Sequence, residues 1–193
     1  MKAIVLLATL KAQGISNTEV LTEFAIRYLE KQKISCEVIR LAQHTILPGT
    51  YIELDTPDDF PGIYQKIVAA DIVLFATPIW WNNHSSELQR VIERLDEVYD
   101  YILDGKDSPL DGKLGGVIVT GDSDGVEHIT GNIANFFCSI GITVPAYTSL
   151  GVIWTDHGKK NKTSKARMLE HYEKEYAQDA QAMAKSFASL ATK

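Results

Sequence analysis

A polar segment at residues 9–18 lies between an apolar run and a helical pattern, and it is dense in hydroxyl and amide side chains. At the amino end of a helix, unpaired backbone N–H groups and the helix dipole favour an anion. Hydroxyls together with Lys11 suit a phosphate. The segment therefore predicts an anion site. The alternative is that Ser16 and Glu19 only form a capping box for the helix.

A second segment follows the short apolar run at residues 72–76, which stops at Thr77-Pro78 because proline cannot donate to a strand ladder. Trp80 and Trp81 could form a wall for a planar ring, with backbone amides and Asn82 or Asn83 bonding its edge. The alternative places the tryptophans in the core or at a contact between subunits. Adjacent side chains of an extended chain point in opposite directions, so both cannot face one ligand there.

A third segment, residues 121–125, has a glycine at each end, and these glycines allow close backbone approach to a ligand. Its aspartates lack the ligand spacing and the distal glutamate of a calcium loop. A plain turn with a helix-capping aspartate is the alternative. The five histidines are scattered without metal-ligand spacing, so we expect no metal site.

The elements that position these segments alternate as βαβαβαβαβα, which predicts a parallel sheet with helices on both faces. Strands are predicted at residues 2–8, 35–41, 72–76, 113–120 and 142–150. The last is expected at an edge because it contains Pro145. One helix is predicted over the stripe at residues 88–98, with an irregular stretch at 99–112. The three segments then leave the carboxyl ends of strands one, three and four, where open α/β sheets bind ligands.

Composition narrows the function classes. The 193 residues suit a single domain (1–193), and no apolar run is long enough for a membrane span. The start of the chain resembles a first strand more than a signal peptide. A net charge of −6 without a basic block argues against nucleic acid as a partner. Two cysteines are too few for a disulfide framework, so a reducing cytoplasm is expected.

Together the three segments resemble the flavodoxin-like NADPH-dependent FMN reductase family, which includes multimeric flavodoxins and flavin-dependent quinone reductases. Residues 8–11 with 16–19 resemble its first loop, Gly-Ser-Pro-Arg followed by Asn-Thr, in a longer form. Residues 71–81 with 85–88 resemble a strand leading to Thr-Pro-x-Tyr-Trp and then Ser-x-x-Leu. Residues 119–127 resemble its glycine-rich turn. The cysteine cluster of the iron–sulfur relatives is absent, so no cluster is expected.

The resemblance implies a doubly wound five-stranded parallel sheet of order 2-1-3-4-5, with FMN at the switch point between strands one and three. The implied phosphate ligands are Thr9, Lys11, Ser16, Asn17 and Thr18. The implied residues around the isoalloxazine are Pro78, Ile79, Trp80, Trp81 and Asn82. The implied residues at the pyrimidine edge are Gly121, Asp122, Ser123, Asp124 and Gly125.

The two aspartates add an electrostatic hypothesis. Reduced flavin gathers negative charge near N1, which the positive end of the fourth helix could stabilise. Asp122 and Asp124 would oppose that charge if they point inward, and would lower the reduction potential.

The resemblance favours an NAD(P)H-dependent oxidoreductase in which hydride passes to N5 of FMN and electrons then pass to a quinone, a flavin or a similar planar acceptor. Trp154 and His157 are candidates for the border of the substrate pocket. A flavodoxin-type electron carrier without nicotinamide activity and a flavin-free regulatory protein on the same fold are the alternatives. The sequence does not decide between NADH and NADPH.

A final helix at about residues 165–190 carries an apolar stripe. The stripe includes Tyr172, Tyr176, Met183 and Phe187. Two interpretations are open: the stripe contacts a second subunit and makes a homodimer, or it covers the sheet of its own chain.

Overall fold

The computed structural model describes residues 1–157 and 162–190, and within them it contains five strands and six α-helices. The strands are β1 (Lys2–Leu7), β2 (Ser35–Arg40), β3 (Ile72–Pro78), β4 (Leu114–Gly121) and β5 (Ser149–Ile153). The helices are α1 (Asn17–Lys31), α2 (Phe60–Ala69), α3 (Ser86–Arg94), α4 (Asp96–Leu103), α5 (Val126–Ser139) and α6 (Lys165–Leu190). Short 3-10 turns cover Leu41–Gln43 and Thr155–His157.

All strand pairs are parallel, and the sheet order is β2-β1-β3-β4-β5. This confirms the predicted flavodoxin-like order 2-1-3-4-5. The order reverses between β1 and β3, so the loops that follow these two strands turn to opposite faces of the sheet. A crevice opens between such loops, at the carboxyl ends of the strands.

The sheet is buried on both faces. In β3 the side chains alternate, with Val73 and Phe75 packed in one core and Ile72 and Leu74 in the other. Helices α2, α3 and α5 cover the first core, and α1 and α6 cover the second. Cover on both faces explains why residues 72–76 read as an unbroken apolar run.

The prediction of a single helix over residues 88–98 is wrong. The structure has two helices, α3 and α4, which meet at Leu95. The apolar stripe continues across the break, since Val91, Leu95 and Val98 are all buried in one core. The periodicity of the buried side chains therefore continues although the helix is interrupted at Leu95. Helix α4 also extends to Leu103, into the stretch predicted to be irregular.

The fifth strand was predicted too early in the chain. Residues 142–148 are not part of it; among them Thr143 makes an isolated bridge to Leu114, and β5 begins at Ser149. Pro145 has no N–H for a ladder, and Tyr147 has a left-handed backbone with φ of +65°, so the chain turns before it enters the sheet. The strand is nevertheless at the edge, as expected.

Helix α6 covers the sheet of its own chain. Tyr172, Met183 and Phe187 are fully buried in the core that α6 shares with α1, and Tyr176 packs against that core. The second interpretation of the apolar stripe is therefore the one observed.

Candidate functional site

A cleft of about 980 Å³ lies at the carboxyl ends of β1, β3 and β4. All three segments singled out in the sequence contribute to its lining, as does the turn after β5. The lining residues are Thr9, Leu10, Lys11, Ser16, Asn17, Thr18, Pro78, Ile79, Trp80, Trp81, Thr120, Gly121, Asp122, Ser123 and His157. The sequence predictions included all of these except Leu10 and Thr120. Four predicted residues lie outside this lining, namely Asn82, Asp124, Gly125 and Trp154.

Two of the phosphate ligands predicted in the first loop are hydrogen-bonded to the protein itself. Nζ of Lys11 donates to the carbonyl oxygen of Ile15 at 2.8 Å. Nδ2 of Asn17 donates to the carbonyl oxygen of His157 at 3.2 Å. The N–H of Ser16 donates to the Glu19 carboxylate at 3.4 Å, so the capping interaction is also present. The remaining donors toward the cleft are hydroxyls and the amino end of α1, which favour an anion.

Two side chains from β2 and the turn after it clamp the first loop from outside. Arg40 donates to the carbonyl oxygens of Lys11 at 3.3 Å and Gly14 at 3.2 Å, and it pairs with Glu19. Gln43 donates to the carbonyl oxygen of Ala12 at 2.9 Å. Sequence reasoning missed both clamps, because their partners lie far away in the sequence and local pattern gives no sign of them.

Ser85 joins the first and second loops at the switch point. Its hydroxyl donates to the carbonyl oxygen of Ala8 at 2.6 Å, and its N–H donates to Oγ1 of Thr77 at 3.0 Å. The same hydroxyl accepts from the N–H of Leu88 at 3.4 Å and thereby caps α3. One serine thus fixes the end of β1, the end of β3 and the start of a helix relative to each other.

The second loop ends in a tight turn at residues 80–83. Trp80 and Asn83 exchange two backbone hydrogen bonds of 2.8 and 2.9 Å. The central residues Trp81 and Asn82 have φ of +50° and +65°, as in type I′ turns. Trp81 is consequently 95% exposed, whereas Trp80 is partly buried. Trp81 is therefore not a core residue, and both tryptophans line the cleft.

The glycines of the third segment let two loops approach each other. A Cβ on Gly121 would lie 2.9 Å from Cβ of Ile79, and one on Gly125 would lie 2.7 Å from Oδ1 of Asn82. The two glycines were expected to let the backbone approach a ligand closely; in the structure they let it approach the second loop.

The two aspartates of the third segment differ in position. Oδ1 of Asp124 accepts from the N–H of Gly125 at 2.8 Å, at the amino end of α5. Asp122 and Ser123 line the cleft. Of the two carboxylates considered for flavin electrostatics, only that of Asp122 belongs to the cleft.

His157 is buried at the border of the cleft. Its Nδ1 lies 2.7 Å from Oγ1 of Thr120, and its Nε2 lies 2.8 Å from the hydroxyl of Tyr172. Burial lowers the pKa of His157 to about 4, so the imidazole is neutral at neutral pH. Trp154 lies behind it and stacks on His171 with ring centroids 3.9 Å apart. Of the two residues predicted to border the substrate pocket, His157 lines the cleft and Trp154 does not.

Within residues 1–157 and 162–190, no three His, Cys, Asp or Glu side chains are grouped so that they could hold a metal ion. In the same part of the chain, none of the helices combines the length and apolar character that crossing a bilayer requires.

Comparison with known proteins gives a family and two partial relatives. The sequence pattern of the NADPH-dependent FMN reductase family matches residues 1–154. The 8-demethyl-8-aminoriboflavin-5′-phosphate synthase of Streptomyces davaonensis is 31% identical over 155 residues, which are 75% of this chain and 60% of the synthase. A divalent metal cation transporter of Mycobacterium bovis, MntH, is 28% identical over 158 residues, which are 79% of this chain and 23% of the transporter. The matched segment is less than two thirds of either relative.

Among solved structures, RosB with its bound intermediate 8-demethyl-8-formylriboflavin-5′-phosphate aligns with 100% of this chain and 79% of its own, with a TM-score of 0.78 and 24% identity. This likeness shows the same fold. The sheet order, the cleft at the switch point and the match over residues 1–154 agree, and the chain belongs to the NADPH-dependent FMN reductase family.

Proposed function

We propose that this chain is an FMN-dependent oxidoreductase that takes electrons from NADPH or NADH and passes them to a small planar acceptor, such as a quinone or a free flavin. The observation that carries the proposal is the division of the cleft. One part is formed by hydroxyls and the amino end of α1, and another by an aromatic turn. A molecule with a phosphate on a polar arm and a planar ring matches this division. Membership of the FMN reductase family supports the same assignment.

The chemistry of the lining fits FMN. The hydroxyls of Thr9, Ser16 and Thr18 and the first N–H groups of α1 suit a phosphate, and Lys11 adds positive charge beside them. Pro78, Ile79 and the tryptophan turn offer apolar surface and backbone N–H groups to the flavin ring, and Asp122 with Ser123 faces its polar edge. Two similar proteins support a flavin phosphate as the occupant: the synthase is named for a riboflavin-5′-phosphate, and RosB was solved with one bound.

When bound, FMN supplies the redox chemistry, accepting two electrons from the nicotinamide and delivering them to the acceptor, which takes up two protons if it is a quinone. The chain itself binds and orients. The loops fixed by Ser85 and Arg40 keep the phosphate end rigid, so little ordering remains to be done on binding. Both cysteines are free thiols, which supports our proposal of a reducing cytoplasm as the place of action.

The acceptor would meet the cleft at its rim. Two large apolar side chains are exposed there, Trp81 at 95% and Leu10 at 48%, and both line the cleft. Exposed aromatic and aliphatic surface beside a ligand cleft favours a planar, weakly polar partner. This combination is the reason we name a quinone or a flavin as the acceptor class.

The test is anaerobic mixing of FMN-reconstituted protein with NADPH, and separately with NADH, followed by the visible absorbance of flavin. Rapid bleaching, reversed by a quinone such as menadione, is the expected result, and the faster donor names the nicotinamide. Retained flavin that neither donor bleaches would support the flavodoxin-type carrier instead. Thr9→Val should weaken FMN binding about ten-fold. Thr22→Val is the matched control, because its hydroxyl donates to the carbonyl of Thr18 inside α1.

A second function is favoured by the likeness to the synthase: the flavin phosphate could be a substrate that is altered and released. Mass spectrometry of the flavin after turnover separates the two. An unchanged flavin mass, bound to protein, supports the oxidoreductase. A new flavin mass in solution supports the synthase-like reaction.

A further inference from the structure

Three side chains beside the cleft form a continuous hydrogen-bonded chain. Thr120, near the end of β4, has its Oγ1 2.7 Å from Nδ1 of His157, and Nε2 of His157 lies 2.8 Å from the phenolic oxygen of Tyr172 on α6. Tyr172 is fully buried, whereas Thr120 and His157 also line the cleft. This series of hydrogen bonds thus connects the buried side chain of Tyr172 on α6 with the surface of the cleft.

The chemistry of the three groups indicates which group donates in each of the two hydrogen bonds. A phenol is a better proton donor than an aliphatic alcohol, which favours donation from the O–H of Tyr172 to Nε2. A neutral imidazole carries a single N–H, so donation to Nε2 would leave Nδ1 as the donor to Thr120. In that arrangement the hydroxyl of Thr120 would accept from Nδ1, and its own proton would be available to a ligand oxygen.

The imidazole is held in place from several sides. The carbonyl oxygen of His157 accepts from Asn17, at the amino end of α1, at 3.2 Å. The rings of Trp154 and Tyr172 lie edge-on to it, with centroids 5.1 and 5.8 Å away. His157 and Tyr172 both lie beyond residue 154, where the family match ends. These two side chains are therefore supplied by the part of this chain that the family pattern does not describe, whereas Thr120 lies inside it.

We propose that Tyr172 and His157 are positioning residues that hold the hydroxyl of Thr120 as a hydrogen-bond donor to an acceptor oxygen on the polar arm of a flavin phosphate in the cleft. The proposal rests on the proposed function, because it requires a flavin phosphate there. A donor oriented before binding loses little freedom when the ligand arrives, so its hydrogen bond contributes more to affinity.

The first test needs no ligand. Nitrogen-15 NMR of the imidazoles in the flavin-free protein, with His157→Gln for assignment, reports which ring nitrogen of His157 carries the proton. Protonation at Nδ1 in wild type, and its loss in Tyr172→Phe, is the expected result. Protonation at Nε2 in wild type overturns the proposal, because Thr120 would then donate to the imidazole and have no proton for a ligand.

The second test measures FMN affinity by the change in flavin fluorescence on binding. Thr120→Val should bind FMN about ten-fold more weakly, and Thr120→Ser should bind it like wild type. Tyr172→Phe should weaken binding in wild type but add nothing in the Thr120→Val background, because Tyr172 acts only through Thr120. Tyr28→Phe is the matched control, since its hydroxyl donates to Glu173 at 2.8 Å between α1 and α6.

The outcomes separate this proposal from the proposed function. Wild-type affinity in Thr120→Val, or an equal loss from Tyr172→Phe in both backgrounds, overturns the positioning role and leaves the oxidoreductase standing. Wild-type protein that binds no FMN overturns the proposed function and this proposal with it.

Discussion

Replacing Asp58 by asparagine should destabilise the protein strongly, because it leaves the guanidinium of Arg94 buried without its counter-charge. The side chains of the pair are 0% and 1% exposed. Arg94 also donates to the carbonyl oxygens of Leu47, Tyr51 and Ile52. It therefore fastens the long connection between β2 and α2 to the end of α3.

The expected loss follows from this burial. Removing one partner of a buried ion pair costs about 3–5 kcal/mol. Asp58 also accepts the N–H of Leu47 at 2.8 Å and of Phe60 at 3.0 Å, and asparagine keeps the shape and one acceptor oxygen, so it can retain one of these two hydrogen bonds. We therefore expect about 3 kcal/mol, the lower end of that range. Asp59→Asn is the matched control: its side chain is 52% exposed, so its loss should stay below about 1 kcal/mol.

The pH dependence gives the prediction a sign. Burial alone would raise the pKa of Asp58, but the hydrogen bonds from Arg94 and from backbone N–H groups hold it below its ordinary value. A carboxyl with a lowered folded pKa stabilises the fold above its unfolded pKa, about 4, and loses that contribution as the pH falls through the folded pKa. The gap between wild type and Asp58→Asn should therefore narrow below about pH 4.

Urea unfolding followed by circular dichroism, at several pH values from neutral to acidic, measures both quantities. A gap at neutral pH no larger than that of Asp59→Asn would refute the argument from burial. A gap that stays constant as the pH falls would refute the lowered pKa of Asp58.

Three further predictions concern the cleft. Asp122→Asn should raise the two-electron reduction potential of bound FMN by roughly 20 mV, because it removes about 1 kcal/mol of repulsion between the carboxylate and the reduced flavin. Redox titration measures this potential, and it should find a smaller rise for Asp124→Asn, whose carboxylate accepts a hydrogen bond from the N–H of Gly125 in its own loop. Trp81→Asn should stabilise the fold by up to about 1 kcal/mol, because asparagine tolerates a left-handed backbone. The same change should raise KM for a quinone several-fold and leave FMN affinity unchanged. An unchanged KM would exclude Trp81 as a contact for the acceptor. Ser85→Ala should cost about 1–2 kcal/mol and weaken FMN binding, and thermal melts with fluorescence titration should find neither effect in the exposed Ser86→Ala control.

The sequence predicted the sheet and the three loops because their causes are local. A fully apolar run requires cover on both faces, and a proline stops a ladder wherever the run lies. Hydroxyls before a helix predict an anion site from their position alone. Sequence order and strand alternation then bring these loops to one edge of the sheet. The result was a list of cleft residues that misses only Leu10 and Thr120 from the lining.

The rest depended on contacts between distant parts of the chain. Arg40 clamps the first loop and Arg94 fastens the connection before α2, through partners 26 to 47 residues away. One signal was present: Arg94 occupies a position on the buried stripe that also contains Val91, and a charge there requires a buried partner. The start of β5 was misplaced because Pro145 marks where pairing fails, not where the chain re-enters the sheet.

The cleft has two parts, an interior and a rim, in which substitutions should have different effects. Its interior is set by buried, hydrogen-bonded groups such as Ser85 and His157, each tied to elements distant in the sequence. Its rim carries Trp81 and Leu10, which are exposed and stand on turns held from below. A change in the interior must disturb several elements at once, whereas a change at the rim alters one side chain. Differences in acceptor among proteins with this cleft are therefore expected at the rim, and loss of the flavin phosphate is expected from the interior.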